Sequence, residues 1–79
     1  MAPGGHPSAR RLLADNLRLM RVVRRLSQTA LAEEAGVTQA LVSAIERGRA
    51  NPTVESLERL APVLGVRVGE LFEESDSRN

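Results

Sequence analysis

The side chains of this chain that could do chemistry are guanidinium groups, amides and hydroxyls, groups that bind and do not attack. All eleven basic residues are arginine, and eight of them (Arg10, Arg11, Arg18, Arg21, Arg24, Arg25, Arg47 and Arg49) fall in residues 1 to 49. Against Asp15, Glu33, Glu34 and Glu46 this half carries +4. Residues 50 to 79 set Arg59, Arg67 and Arg78 against Glu55, Glu58, Glu70, Glu73, Glu74 and Asp76, a balance of −3. The overall +1 therefore hides a basic half suited to a polyanion and an acidic half that suits a surface turned away from it. Charge alone leaves a second reading open, in which both are solvated helix faces. Among the basic residues stand four hydrogen-bonding side chains, Gln28, Gln39, Ser43 and Asn51.

The exclusions are sharper. With no cysteine and a single histidine, His6, in a Gly/Pro segment, the sequence offers no disulfide scaffold, no thiolate site and no zinc centre. No nucleophile is paired with a base and no glycine loop cradles phosphate. Catalytic residues, cofactors and a small-molecule ligand are thus not expected, and the chain does not read as an enzyme. Its apolar runs reach only three residues, so no membrane span is expected, and no apolar segment marks a secretory leader. A cytoplasmic location is the default. A domain of 79 residues buries only ~60% of its unfolded surface, so its core is one small cluster that oligomerisation would help.

The elements that must position these groups are helical. Residues 1–7, rich in Gly and Pro, read as a flexible arm, residues 8–74 as one domain, and residues 75–79 as a frayed tail. Apolar residues recur at helical spacing and no alternating stretch supports a strand, so the fold class is all-α. Ser8 caps a first helix reaching Arg24 or Arg25, with Leu13, Leu17 and Met20 on one face. Ser27 caps a second, Gln28 to Ala35, closed by Gly36. Thr38 caps a third, Gln39 to Arg47, closed by Gly48. Thr53 caps a fourth, Val54 to Leu64, stopped by Gly65, and a fifth short helix lies near Val68 to Glu74.

The segment from Gln28 to Gly48 carries the function. Two helices that cross steeply with three residues between them need a small side chain at the crossing and a glycine in the turn. Ala32 and Gly36 fill those roles, while Leu31, Ala35, Val37, Val42 and Ile45 supply the packing. This spacing is that of a helix-turn-helix. Projected at about 100° per residue, the third helix turns Thr38, Val42 and Ile45 inward and Ala40, Ser43, Ala44 and Arg47 outward, with Gln39 at the margin.

Residues 12 to 72 resemble the Cro/lambda-repressor type of helix-turn-helix domain, the Xre family. The resemblance rests on Leu17, Met20, Arg21 and Leu26; on Ser27, Gln28, Leu31 and Ala32; on Ala35 to Gln39; on Val42, Ser43 and Ile45 to Gly48; and on Pro52, Thr53, Leu57 and Leu64 to Val66. It implies a compact five-helix fold, sequence-specific binding of double-stranded DNA as a homodimer, and regulation of transcription. The outward face of the third helix would then enter a major groove. There Gln39 is suited to a bidentate contact with adenine, Ser43 is a second candidate reader, and Ala40 and Ala44 can offer only apolar contact to a thymine methyl. Gln28 is placed beside a phosphate or over Gln39. Thr38, Arg18, Arg47, Arg49 and Asn51 join Gln28 as candidate backbone contacts, which set register and affinity without reading sequence. Arg21 and Glu46 match a pair that, in similar proteins, ties the first helix to the third, and they are assigned a structural role.

The sequence departs from that pattern in places. Arg25 stands where a glycine usually ends the first helix, so a shifted turn or a longer helix is expected. Pro62 falls inside the fourth helix, where a kink is expected. Arg67 replaces a Ser/Thr cap, and Gly69 weakens the fifth helix further. Leu12, Leu19, Val22 and Val23 give the first helix a second apolar side, to be covered by the arm or by another subunit, although the resemblance places the dimer contact on the fourth and fifth helices. The leading expectation is a small autoregulator or controller-type protein acting as a homodimer on an operator. The alternatives are an antitoxin that also represses its own operon, and a protein-interaction adaptor that keeps the fold without reading bases.

Overall fold

A computed structural model describes residues 7–74, and the expected arm and tail lie outside the described residues apart from Pro7. Within it four α-helices are followed by a 3₁₀ helix: α1 Ala9–Val23, α2 Gln28–Ala35, α3 Gln39–Glu46, α4 Val54–Leu64 and the 3₁₀ turn Val68–Phe72. Each α-helix starts on a hydroxyl. Ser8, Ser27, Thr38 and Thr53 sit in extended backbone, and their side-chain oxygens accept from the amides of Arg11, Ala30, Leu41 and Ser56 at 3.1, 2.9, 3.1 and 3.0 Å. Such caps satisfy first-turn donors that no intrahelical carbonyl can reach.

The helices also end alike. Past each, one residue turns into the left-handed region, and the next amide reaches back to a carbonyl five residues earlier: Leu26 to Arg21, Val37 to Ala32, Arg49 to Ala44 and Val66 to Ala61, at 2.9 to 3.1 Å. At three ends the left-handed residue is glycine, which has no Cβ to clash. At the fourth it is Arg25, with φ 60°. The departure at Arg25 therefore neither lengthens nor removes the turn. α1 stops at Val23, short of the expected Arg24 or Arg25, and arginine takes the conformation glycine usually holds.

The core that holds the helices is built from Leu13, Leu17, Leu31, Val42, Ile45, Leu57, Leu60, Leu64 and Leu71, with Ala32 buried among them, and α2 packs on α3. α1 packs on α3 and on the 3₁₀ turn, and α2 packs on α4, so α3 is gripped from two sides with one face left open. Two sequence expectations need correction. α3 ends at Glu46 with Arg47 as its cap residue, one residue earlier than expected. The last helix is 3₁₀ and ends at Phe72; with Arg67 providing no side-chain cap, the Glu70 carboxylate instead accepts from the Arg67 amide at 2.8 Å. Pro62 lies in the last turn of α4, which runs on to Leu64, so its missing N–H leaves only the carbonyl of exposed Glu58 to water.

Candidate nucleic-acid interface

The open face belongs to α3. Val42 and Ile45 are fully buried, whereas Thr38, Gln39 and Ala40 are exposed and Ser43 and Ala44 half-buried. Thr38 was expected to turn inward with Val42 and Ile45. It is exposed instead, because an N-cap residue has non-helical backbone and falls outside the helical projection; its hydroxyl oxygen accepts from the Leu41 amide and keeps its O–H to donate. The exposed set is small and uncharged up to Arg47, whose Nη1 donates to Ser43 Oγ at 2.9 Å.

Behind that face runs a continuous chain of hydrogen bonds. Arg21 of α1 meets Glu46 of α3 with two parallel bonds, Nε to Oε2 at 2.6 Å and Nη2 to Oε1 at 3.0 Å, and its Nη1 donates to the Leu26 carbonyl at 2.7 Å. Gln28 Nε2 donates to Glu46 Oε1 at 3.0 Å, and Gln28 Oε1 accepts from Gln39 Nε2 at 2.8 Å. The side chains of Arg21 and Glu46 are only 13% and 4% exposed. Burial pushes the Glu46 carboxyl up, but the hydrogen bonds from Arg21 and Gln28 and the charges of Arg21 and Arg18 outweigh it and hold the group below the usual carboxylate range. The hydrogen bond to Glu46 raises Arg21 in turn, against the opposing effect of burial. The pair ties α1 to α3, and Gln28 lies against Gln39.

Around this chain lie the cations. Arg18, Arg47 and Arg49 are exposed, and Arg11, Arg18 and Arg47 line a shallow cleft between α1 and the end of α3. Asn51, in the loop after α3, accepts a bond from Arg10 Nη2 to its Oδ1 at 2.7 Å, which leaves its amide N–H groups free to face outward. Ser27 caps one amide of α2, and the amides of Gln28 and Thr29 have no acceptor within the helix. The surface thus combines an exposed amide, a few small side chains and a rim of guanidinium groups. Among the described residues no group of three or more His, Asp or Glu could hold a metal, and no helix is long and apolar enough to cross a membrane.

A helix-turn-helix family model matches residues 17–71. The chain belongs to that family, in its Xre or lambda-repressor form. Members of this helix-turn-helix family bind double-stranded DNA, and the curated relatives of this chain are named as transcriptional regulators and repressors. A hypothetical transcription factor from Neisseria meningitidis is 42% identical over 63 residues, 80% of this chain and 59% of that protein. A crystal structure of such a factor from Neisseria matches with a TM-score of 0.84 at 36% identity, covering 99% of this chain and 93% of the other. The restriction-modification controller protein C.AhdI from Aeromonas hydrophila matches at TM-score 0.76 and 32% identity, covering 80% and 96%. The biofilm regulator SinR, solved in complex with DNA, matches at TM-score 0.73 and 34% identity, covering 77% and 98%.

The sequence did not reveal every residue that holds this helix-turn-helix surface in place. Asn16 is 6% exposed, and its Nδ2 donates to the carbonyls of Leu71 at 2.9 Å and Glu73 at 2.7 Å, tying the 3₁₀ turn to α1. A lone asparagine between Asp15 and Leu17 carries no periodic signal, because its partners lie 55 and 57 positions away. Arg10 is equally silent in sequence, since Asn51 is 41 positions distant.

Proposed function

We propose that this helix-turn-helix protein binds a two-fold symmetric operator as a homodimer and regulates transcription as a small autoregulator of the controller type. The observation that carries the proposal is Gln39, exposed at the start of α3 with its amide tethered through Gln28 to the buried Glu46. A tethered amide is pre-organised for adenine, whose major-groove edge sets a donor beside an acceptor. Ser43, Ala40 and Ala44 complete the base-facing surface. Arg18, Arg47, Arg49, Asn51, Thr38 and the first-turn amides at Gln28 meet the sugar-phosphate backbone on either side. The likeness to a controller protein and to a regulator solved on DNA supports this reading. A dimer would set half-sites about one helical turn, ~34 Å, apart. Apolar Leu19, Val22 and Val23, 55, 55 and 69% exposed on α1, support self-association.

Selection from randomised duplexes tests the proposal. A palindromic site should emerge, and Gln39→Ala should lose ~1 to 3 kcal/mol at one position in each half-site while the others keep their preference. Neutralising Arg49 should instead weaken binding to all sequences and reduce the salt slope by about one. Absence of any sequence preference at every salt concentration would favour the adaptor reading, which the two alanines on the outer face of α3 support.

A further inference from the structure

Resting on that DNA-binding reading, we infer that Glu46, acting through Gln28, is a positioning residue that fixes the polarity of the Gln39 amide and so sets adenine over guanine at the base pair Gln39 meets. A glutamine amide has an accepting end and a donating end of nearly equal size, so shape does not decide which way it lies. Here chemistry decides. The Glu46 carboxylate can only accept, and Arg21 already holds both its oxygens from one side. The end of Gln28 that meets it, 3.0 Å from Oε1, is therefore the NH₂ group, which turns Gln28 Oε1 toward Gln39. That oxygen in turn selects the donating end of Gln39, at 2.8 Å. Gln39 spends one N–H inward and is left with one N–H and its Oε1 to face a base.

This remainder matches adenine, with N7 to accept and N6 to donate. Guanine presents two acceptors, O6 and N7, and is served only when the amide nitrogen swings round to donate to both. A free glutamine can do so. This one would first give up its bond to Gln28, or turn its oxygen against the Gln28 oxygen; correcting that contact by turning Gln28 would aim an oxygen at the buried carboxylate. The series of amide dipoles ends on a charge that cannot be reversed, so the polarity is passed outward from the core to the groove.

The test compares sites selected from randomised duplexes by the wild-type chain, Gln28→Ala, Glu46→Gln and the double variant Arg21→Met/Glu46→Leu. The double variant removes both buried charges together while keeping Gln28 and Gln39, so it does not strand a charge. Gln28 is half-buried at the start of α2 and outside the apolar core, so its truncation removes no core packing. At the position that Gln39→Ala relaxes, the adenine-to-guanine preference should fall by about tenfold or more in all three variants, with the other positions retained. A merely structural role would weaken every sequence equally and leave that preference unmoved. Retention of the preference in Gln28→Ala, or in either variant lacking the carboxylate, overturns the inference while leaving DNA binding intact. Wild-type selection of guanine at that position also overturns it. Wild-type selection of no sequence at all overturns the DNA-binding reading and this inference with it.

Discussion

Replacing Arg21 by methionine should be among the most damaging single changes in this domain, and its effect should depend on pH in a direction set by Glu46. The substitution removes three hydrogen bonds, two to the carboxylate and one to the Leu26 carbonyl that closes the turn after α1. It leaves a side chain only 4% exposed carrying a negative charge, with Gln28 as its remaining hydrogen-bond donor. Breaking a buried pair from one side costs ~3 to 5 kcal/mol. For a domain whose whole stability is of order 0.05 to 0.15 kcal/mol per residue, about 4 to 12 kcal/mol in total, that is a large share. With each kcal/mol worth ~4 to 8 °C in a domain of this size, the melting temperature at pH 7 should fall by at least ~12 °C.

The pH dependence follows from linkage. In the wild type the folded carboxyl lies below its unfolded value, so the stabilisation is present above the unfolded value near ~4.3 and is lost as pH falls through the folded one. Without Arg21, burial prevails and the folded value rises above the unfolded one. The variant's Glu46 then loses stability as pH rises from the unfolded value to the folded one, so the gap between wild type and variant should narrow as the solution is acidified. Thermal or urea melts of both chains at neutral pH and near pH 4 measure the two quantities. A variant melting within a few degrees of the wild type at pH 7, or a gap that does not shrink on acidification, would refute the reasoning.

Arg25→Gly should stabilise the domain by about 1 kcal/mol, the left-handed strain of ~1 to 2 kcal/mol released at φ 60° less the extra freedom glycine gives the unfolded chain; a melt that falls instead would count against it. Asn16→Ala strands the carbonyls of Leu71 and Glu73 and should cost about 2 kcal/mol, with amide exchange in the 3₁₀ turn rising before that of α4. Leu19→Glu should disrupt self-association if the apolar outer side of α1 is the contact; a fully dimeric variant by light scattering would move the interface to α4 and the 3₁₀ turn.

The helices themselves were legible in the sequence because their signals are local. A hydroxyl at position 8, 27, 38 or 53 caps amides three residues on, and glycine at 36, 48 or 65 answers to the φ of its own residue. Apolar spacing identified the core face of α3, and the segment from Gln28 to Gly48 carried the helix-turn-helix. Local rules also failed where a residue obeys something else. Arg25 accepts a glycine conformation because the backbone bonds from its own amide to Val22 and from Leu26 to Arg21 hold the turn in place. Thr38 leaves the helical projection because it precedes the helix.

What the residues alone established is therefore the family, the fold class and the face of α3 that is open. Only tertiary packing decided what stands behind that face. Arg21 and Glu46 are 25 positions apart, Gln28 and Glu46 18, Gln28 and Gln39 11, and whether they bond depends on how the core around Leu17, Leu31, Val42 and Ile45 sets the helices against one another. Periodicity specifies which side of a helix is buried, whereas a hydrogen bond also requires distance and angle between elements, and those belong to the assembled core.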